Sequence, residues 1–414
     1  MIERTLKQLC YEEKETIKFS NFSSINYLET GDITQNRISS YSHLKVDVDK
    51  IPSRARKIAK KGQIVFSLVR PNQKHYGIVD ENWPESLVIS TGFAVIQPNE
   101  DIDPYYLYYL LTQEKNINIL QTIAEQSVTS YPSIVFADIE NLKVRIYKDF
   151  NVQKKIASLL KSIDQKIATN EKINDNLSQQ IKQIFDYWFK QYNFPNVEGK
   201  AYALSNGKFT HNNIVKRDIP ENWTVGSLIN NPLTRVIDPG VSYFDTKNYL
   251  ATKNINGTTI SDGDYVTYEN RESRANMQLS INSVWFAKMK NSIKHLFVSK
   301  AGQPIVDKYI LSTGFEGLQC GNNSFAYISG IISDPTFEIT KDKYSHGATQ
   351  QSINNDDLDL YKIVIPDTET LEKYSKLMNP MYEKMNTLAI ENNQLAKIRD
   401  MLLPLLLNGQ VTIR

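Results

Sequence analysis

Residues 151–189, NVQKKIASLLKSIDQKIATNEKINDNLSQQIKQIFDYWF, contain neither glycine nor proline. Ile156, Leu160, Ile163, Ile167, Asn170, Asn174, Leu177, Ile181, Ile184 and Trp188 recur in alternating steps of four and three, the a/d seam of a coiled coil. Such a seam needs a partner helix. Residues 369–407 supply one, with Leu371, Tyr374, Met378, Met381, Met385, Leu388, Asn392, Leu395, Arg399, Leu402 and Leu406 at the same rhythm. Pro380 and Pro404 fall inside this second segment, so a kink or break is expected near each.

The remainder of the chain repeats itself. Asn26-Tyr27-Leu28-Glu29-Thr30 returns as Asn248-Tyr249-Leu250-Ala251-Thr252, and Ser90-Thr91-Gly92-Phe93 as Ser312-Thr313-Gly314-Phe315, both at an offset of 222 residues. Phe66, Arg70, Lys74 and His75 return as Phe286, Lys290, Lys294 and His295 at 220, and Ser133-Ile134 with Asp138-Ile139 as Ser352-Ile353 with Asp357-Leu358 at 219. Four matches in one order at nearly one offset mean duplicated halves. Each half reads as a globular module followed by a long helix. Residues 1–150 form the first module, 151–190 its helix, 191–222 a polar surface connector, 223–367 the second module, and 368–414 the second helix with its tail. GQIVFSLVR (62–70), SLVISTGFAVIQP (86–98), NSVWFAKMK (282–290) and YILSTGFEGLQC (309–320) are strand-like. One helix is expected from Asp103 over DPYYLYYLLTQEKNINILQTIAE, and FAYISGIIS (325–333) stands at the equivalent place. The fold class is α+β.

Composition bounds the function more by what it excludes. With 48 basic and 46 acidic residues among 414, no overall charge excess draws the chain to a polyanion, so only local patches count. Cys10 and Cys320 have no Cys or His at ligand spacing, which argues against a disulfide framework and a zinc site. No run reaches ~18 apolar residues and no apolar stretch follows the N-terminal charges, so a cytoplasmic protein without membrane contact is expected.

Catalytic motifs fail on inspection. Asp103-Pro104-Tyr105-Tyr106 is near the DPPY signature of amino-methyltransferases but lacks the second proline, and no glycine-rich cofactor loop accompanies it; a helix start is the plainer reading. Glu198-Gly199-Lys200-Ala201 is no phosphate loop, since Phe194 stands at the leading glycine and no Ser or Thr follows the lysine. The five histidines form no metal pair, and Pro366-Asp367 lacks the Glu-x-Lys of a nuclease.

Charge is concentrated locally. Lys50, Arg54, Arg56, Lys57, Lys60, Lys61, Arg70 and Lys74 fall in a stretch without Asp or Glu, as do Arg274, Lys288, Lys290, Lys294 and Lys300 at the equivalent place in the second half. Solvated loops would explain either cluster alone; their duplication favours phosphate contacts. Asn72, Gln73, Asn291 and Ser292 lie beside them, with the hydrogen-bonding groups that read base edges. His75 and His295 either touch phosphate or finish a strand.

The chain resembles the specificity subunit of type I restriction-modification systems. The resemblance spans the whole length and is carried by V-Q-K-K-I-A-x-L-L-x-x-I-D-x-K-I from Val152, G-A-T-Q-Q-S-I from Gly347 to Ile353, and the terminal Leu-Leu-Leu-Asn-Gly-Gln-Val. The first half departs from it, with Ser127-Val128-Thr129-Ser130-Tyr131-Pro132-Ser133-Ile134 in place of G-A-T-Q-Q-S-I, and the second helix opens on Pro366-Asp367-Thr368.

That resemblance implies two target-recognition domains reading the halves of a bipartite, asymmetric double-stranded DNA target, held apart by an antiparallel two-helix coiled coil. It implies no catalysis and no cofactor on this chain. Two modification subunits would carry S-adenosylmethionine, and restriction subunits would use ATP and Mg. Thr349, Gln350 and Gln351 join the DNA-contacting candidates on the same ground. A helix pair of this length, at ~1.5 Å per residue, spans ~57 Å, enough to separate two modules by a ~34 Å turn of DNA. In an antiparallel pair the midpoints meet, so Asn170 or Asn174 should face Asn392 in a register-setting polar layer. Leu159, Phe185 and Phe189 are left as a flank for partner docking or for added core packing. Two other readings stay open: a coiled-coil scaffold with protein-binding modules, and a self-contained DNA methyltransferase.

Overall fold

The computed structural model describes residues 1–127, 131–348 and 350–413. The chain divides into two compact units, Met1–Lys166 with Leu395–Arg414, and Ile167–Gln394. Each unit therefore holds a module together with the start of one long helix and the end of the other.

Both modules are built from two four-stranded sheets with the same strand order. In the first unit one sheet runs Ser42–Lys45, Ser24–Leu28, Leu87–Ser90, Ala55–Ile58, and the other Cys10–Glu13, Phe93–Pro98, Ile64–Ser67, Tyr76–Ile78. In the second unit the counterparts are Asp264–Val266, Lys247–Leu250, Tyr309–Ser312, Ala275–Met277, and Thr234–Val236, Phe315–Cys320, Ser283–Ala287, His295–Val298. The repeated N-Y-L segments form the strands that pair in parallel with Leu87–Ser90 and Tyr309–Ser312. The repeated S-T-G-F segments are the turns by which the chain leaves one sheet and enters the other. A short antiparallel pair closes each module, Ile2–Thr5 on Lys143–Ile146 and Thr224–Ser227 on Lys362–Ile365.

Strand alternation explains the three-layer build. Ile64, Phe66, Ala94 and Ile96 point into a core shared with the helices, while Val65, Phe93 and Val95 point into the core between sheets with Leu28 and Ile89. Val284, Phe286, Leu318 and Cys320 against Trp285, Ala287 and Phe315 repeat this division in the second unit. Both faces are covered, which is why these strands read as unbroken apolar runs.

The single helix expected from Asp103 is two, Pro104–Leu111 and Glu114–Glu125. Asp103 caps the first by accepting from Tyr106 N–H at 2.9 Å. The buried Asn116 amide donates to Leu110 O at 2.7 Å, taking over a carbonyl that a continuous helix would have bonded itself. Their counterparts are Phe325–Ser333 and Pro335–Tyr344. The connector also differs from expectation. Tyr192, Phe194 and Ile219 are buried, Phe194 stacks on Tyr202 (4.6 Å between ring centres) and Trp223 (4.8 Å), and a hairpin of Phe209–Asn212 and Arg217–Pro220 closes over them. Aromatic residues scattered among turn-formers carry no periodicity, so this core was invisible in the sequence.

The first long helix spans Phe150–Phe185 and widens into a π turn over Asp186–Lys190. Its Gln153 is buried and bridges two backbone groups, accepting from Asp103 N–H at 3.0 Å and donating to Tyr147 O at 2.9 Å. All ten seam positions from Ile156 to Trp188 are buried or half-buried. The second helix spans Thr368–Leu407 without interruption through Pro380 and Pro404. Both prolines are exposed, as are Lys376 and Asp400, whose carbonyls they leave without a helical donor, so water can serve those carbonyls and the helix continues. Pro366-Asp367 opens this helix: Asp367 accepts from Thr370 N–H at 2.8 Å and from Trp223 Nε1 at 2.9 Å.

Within the second unit Ile181, Trp188, Leu371 and Met378 share one core, with Ile184 and Met385 half-buried against it and Tyr374 5.4 Å from Trp188. Farther along, Asn170 Nδ2 donates to Asn392 Oδ1 at 2.7 Å and to Glu391 at 2.8 Å, so the helices run antiparallel. Ile167 contributes its carbonyl to Asn392 at 3.5 Å, and Asn174, Leu177 and Leu388 complete the seam at half-buried or buried positions. Within the first unit Ile156, Leu160 and Leu406 share a core against which Leu402 packs, while Asp164 holds Arg399 at 2.9 Å and the Tyr109 hydroxyl at 2.5 Å. Leu395 and Ile163 are half-buried and buried there. Phe185 and Phe189 belong to the core of the second unit, 6% and 5% exposed, and of that flank Leu159 alone faces solvent.

Candidate nucleic-acid interface

In each module one hairpin ends in a polar loop. The first closes where Ser67 N–H donates to His75 O at 2.9 Å, the second where Ala287 N–H donates to Lys294 O at 3.0 Å. Loops 68–75 and 288–294 thus present the repeated R/K-x3-K positions, with His75 and His295 at their ends. They turn sharply without glycine because Arg70 (φ 48°), Lys74 (57°) and Asn291 (58°) take left-handed backbone.

The S-T-G-F turns brace both loops alike. Gly92 O accepts from Leu68 N–H and Gly314 O from Lys288 N–H, each at 2.9 Å. Thr91 and Thr313 N–H donate to the carbonyls of Arg54 and Arg274, also at 2.9 Å. A Cβ at either glycine would lie 3.0 Å from a threonine methyl, of Thr30 or Thr252, which are themselves repeat equivalents.

A second loop joins the first in each module. Arg70 N–H donates to Pro132 O at 2.9 Å, and Lys290 N–H to Gln351 O at 3.0 Å. The segment that departs from G-A-T-Q-Q-S-I therefore occupies the same place as that motif. Its side chains answer differently: the Arg70 guanidinium lies 5.2 Å over the Tyr131 ring, whereas Lys290 Nζ donates to Gln351 Oε1 at 2.8 Å. Gln350 is exposed beside it. Thr349, with Val128, Thr129 and Ser130, lies outside the described residues.

The first basic cluster is less cationic in the fold than in the sequence. Strand Cys10–Glu13 and its neighbourhood bring acids that are distant in the chain: Lys57 pairs with Glu12 at 3.3 Å, Lys60 with Glu15, and Lys61 with Glu81 at 3.1 Å. Lys57 also donates to Phe93 O at 2.6 Å and is half-buried, which withdraws it from the surface. Arg54 and Arg56 stay exposed, Arg56 over the Phe19 ring at 5.8 Å. Lys74 pairs with Glu114 at 2.7 Å, Asn72 N–H donates to Gln121 at 3.1 Å, and Gln73 meets His75 at 3.2 Å. His75 is half-buried on Ile33 O at 2.6 Å.

In the second cluster Arg274 and Lys290 are exposed and Ser292 half-exposed, while Lys288 pairs at 3.5 Å with the buried Glu316. Burial pushes the Glu316 carboxyl up, against the pull of Lys288. Lys294 donates to Thr252 O. His295 is the clear correction among the candidates: it opens a strand, is 7% exposed, and its Nε2 meets Glu338 at 2.7 Å. Burial would raise the Glu338 carboxyl, but hydrogen bonds from His295 and Lys341 outweigh it and hold the group below the usual carboxylate range. Gln121, Lys341 and Asp342 also support the loops and were not picked out from sequence, because their role depends on a helix packing back on a hairpin more than 40 residues away. Among the described residues no three metal-ligating side chains gather, and no helix is long and apolar enough to cross a membrane.

Residues 2–179 match the type I restriction modification DNA specificity domain. Along nearly its whole length the chain is similar to the type I restriction enzyme HindI specificity subunit of Haemophilus influenzae, 25% identical with 95% of each chain covered. It is 24% identical to a putative type I restriction enzyme MjaX specificity subunit of Methanocaldococcus jannaschii, over 91% of this chain and 87% of that one. The crystal structure of a type I restriction-modification system S subunit from M. genitalium shares the fold, with a TM-score of 0.51 at 13% identity over 98% and 96% of the two chains.

Proposed function

Because the chain belongs to the type I restriction-modification specificity subunits, we propose that its two modules each read one half of a bipartite, asymmetric DNA target. It is a recognition subunit and catalyses nothing itself. The observation that carries the two-part reading is internal: one scaffold occurs twice, with equivalent loops at 68–75 and 288–294 that bear different side chains. Identical scaffolds with different surface chemistry suit two different half-sites. Exposed Arg54, Arg56, Arg274 and Lys290 supply phosphate contacts, and Asn72, Gln73, Ser292, Gln350 and Gln351 the base-edge donors and acceptors.

The long helices set the separation of the half-sites, and two modification subunits dock on the assembly in the cytoplasm. Those subunits bring S-adenosylmethionine and methylate adenine, and restriction subunits add the ATP- and Mg-dependent steps. Mapping methylated adenines in cells with and without this chain tests the whole reading. A two-part motif that vanishes with the chain is expected. A single continuous motif, or methylation indifferent to the chain, would overturn it.

A further inference from the structure

The helix Pro335–Tyr344 carries the one buried lysine among the described residues. Lys341 is fully buried, and its ammonium donates to Ala287 O at 3.2 Å and to Ser292 O at 2.9 Å. One cation thus ties the base of loop 288–294 to its far side. Glu338 lies 2.5 Å from that ammonium and 2.7 Å from His295 Nε2, neutralising the cation from the next turn of the same helix. Asp342 takes Asn291 N–H at 3.0 Å. Among the described residues the first module has no such array; its equivalent helix reaches the loop through Gln121 to Asn72 N–H and Glu114 to Lys74, at exposed positions.

A buried ion pair is a poor way to gain stability, since two charges must leave water and well-packed neutral groups often do as well or better. What it does supply is geometric definition. We propose that Lys341, with Glu338, His295 and Asp342, is a positioning array for target reading: it holds loop 288–294 in the one shape in which Lys290 and Ser292 present their donors to DNA. This rests on the function proposed above and assigns to the second half-site a dependence that the first does not share.

The test uses the full chain with its modification subunits and reads the methylated motif. Gln350→Ala, which removes an exposed base-edge candidate of the second module, first marks which half of the motif that module reads. Lys341→Met with Glu338→Gln removes both charges together, and the expected result is that discrimination in that same half falls roughly tenfold at one or more positions. The other half should stay sharp and the melting temperature unchanged. Phe337→Leu is the structural control: Phe337 is fully buried on Phe286, 4.9 Å between ring centres, and makes none of these hydrogen bonds. It should lower the melting temperature and leave the motif sharp. Both halves sharp in the double variant, or equal relaxation in the Phe337 variant, overturns the proposal. Should the double variant not fold, Asp342→Ala decides, because it frees only the Asn291 N–H; a sharp motif there overturns the proposal as well. A wild-type chain that yields no two-part motif would instead remove the function on which the inference rests.

Discussion

Val65 faces Val95 across two strands of the first module; at the equivalent register of the second, Trp285 faces Gly317. The volume has moved entirely to one side of the pair. A Cβ on Gly317 would lie 2.4 Å from the Trp285 ring, so the indole fills the space that two valines share in the other module. The loops above show the opposite behaviour. Loops 68–75 and 288–294 keep the backbone support of the S-T-G-F turn at Leu68 and Lys288 while the side chains around them change from Tyr131 and Gln121 to Gln351 and Asp342. The two halves therefore differ in compensated ways inside and in uncompensated ways outside, as expected of one scaffold presenting two surfaces.

Exchanging the pair puts the inside half of that comparison to the severest test. Gly317→Val alone should cost about 3 kcal/mol by overpacking, and Trp285→Val about 3 kcal/mol through the cavity it leaves. Together they recreate the arrangement of the first module, and the double variant should recover about 2 kcal/mol of the summed loss. Denaturant unfolding of the four proteins gives the coupling directly. Strict additivity would mean that the two positions do not compensate each other.

A second test falls on the polar layer of the helix pair within the second unit. Asn170 and Asn392 lie on the two long helices and hydrogen-bond to one another. The layer lies wholly within the second unit, where the first long helix runs past the start of the second. Asn170→Ala should cost about 1–3 kcal/mol because it removes the Nδ2 donor that the half-buried Asn392 Oδ1 accepts from. Asn392→Ala should cost less, since Glu391 still accepts from Asn170. The two losses should fall short of additivity when combined, and a sum equal to the single losses would deny that the asparagines form one layer.

The seam, the repeat and the paired strands were legible because each is periodic or occurs twice, and both signals survive in one dimension. What escaped was tertiary. Glu12, Glu15 and Glu81 neutralise lysines from which they are separated by 20 to 45 residues, and a charge run without acids looks free until strands fold beside it. Phe185 and Phe189 were readable as apolar, but only the helix Phe325–Ser333 packing on them shows that they are core: a Cβ on Gly330 would sit 2.3 Å from the Phe185 ring. Pro380 and Pro404 misled for a related reason, since a proline's cost depends on whether the freed carbonyl can reach water.

The smallest effect sharpens the outside half of the comparison, and it asks which cations the duplicated clusters can still offer. Lys290 is exposed and its ammonium bonds a neutral amide, so a phosphate would gain a full charge by meeting it. Lys57 sits in an equally basic stretch but is already neutralised by Glu12 and engaged by Phe93 O. Binding measured across a range of salt concentrations separates the two cases, because each phosphate contact releases counterions and steepens the log-log slope by about one. Lys290→Ala should flatten the slope by about that amount and weaken binding to every sequence alike. Lys57→Ala should leave the slope within error and act, if at all, through stability. Equal flattening by both would mean that the Glu12 pair opens on DNA, and that the two clusters are more alike in function than their pairing in the free protein makes them.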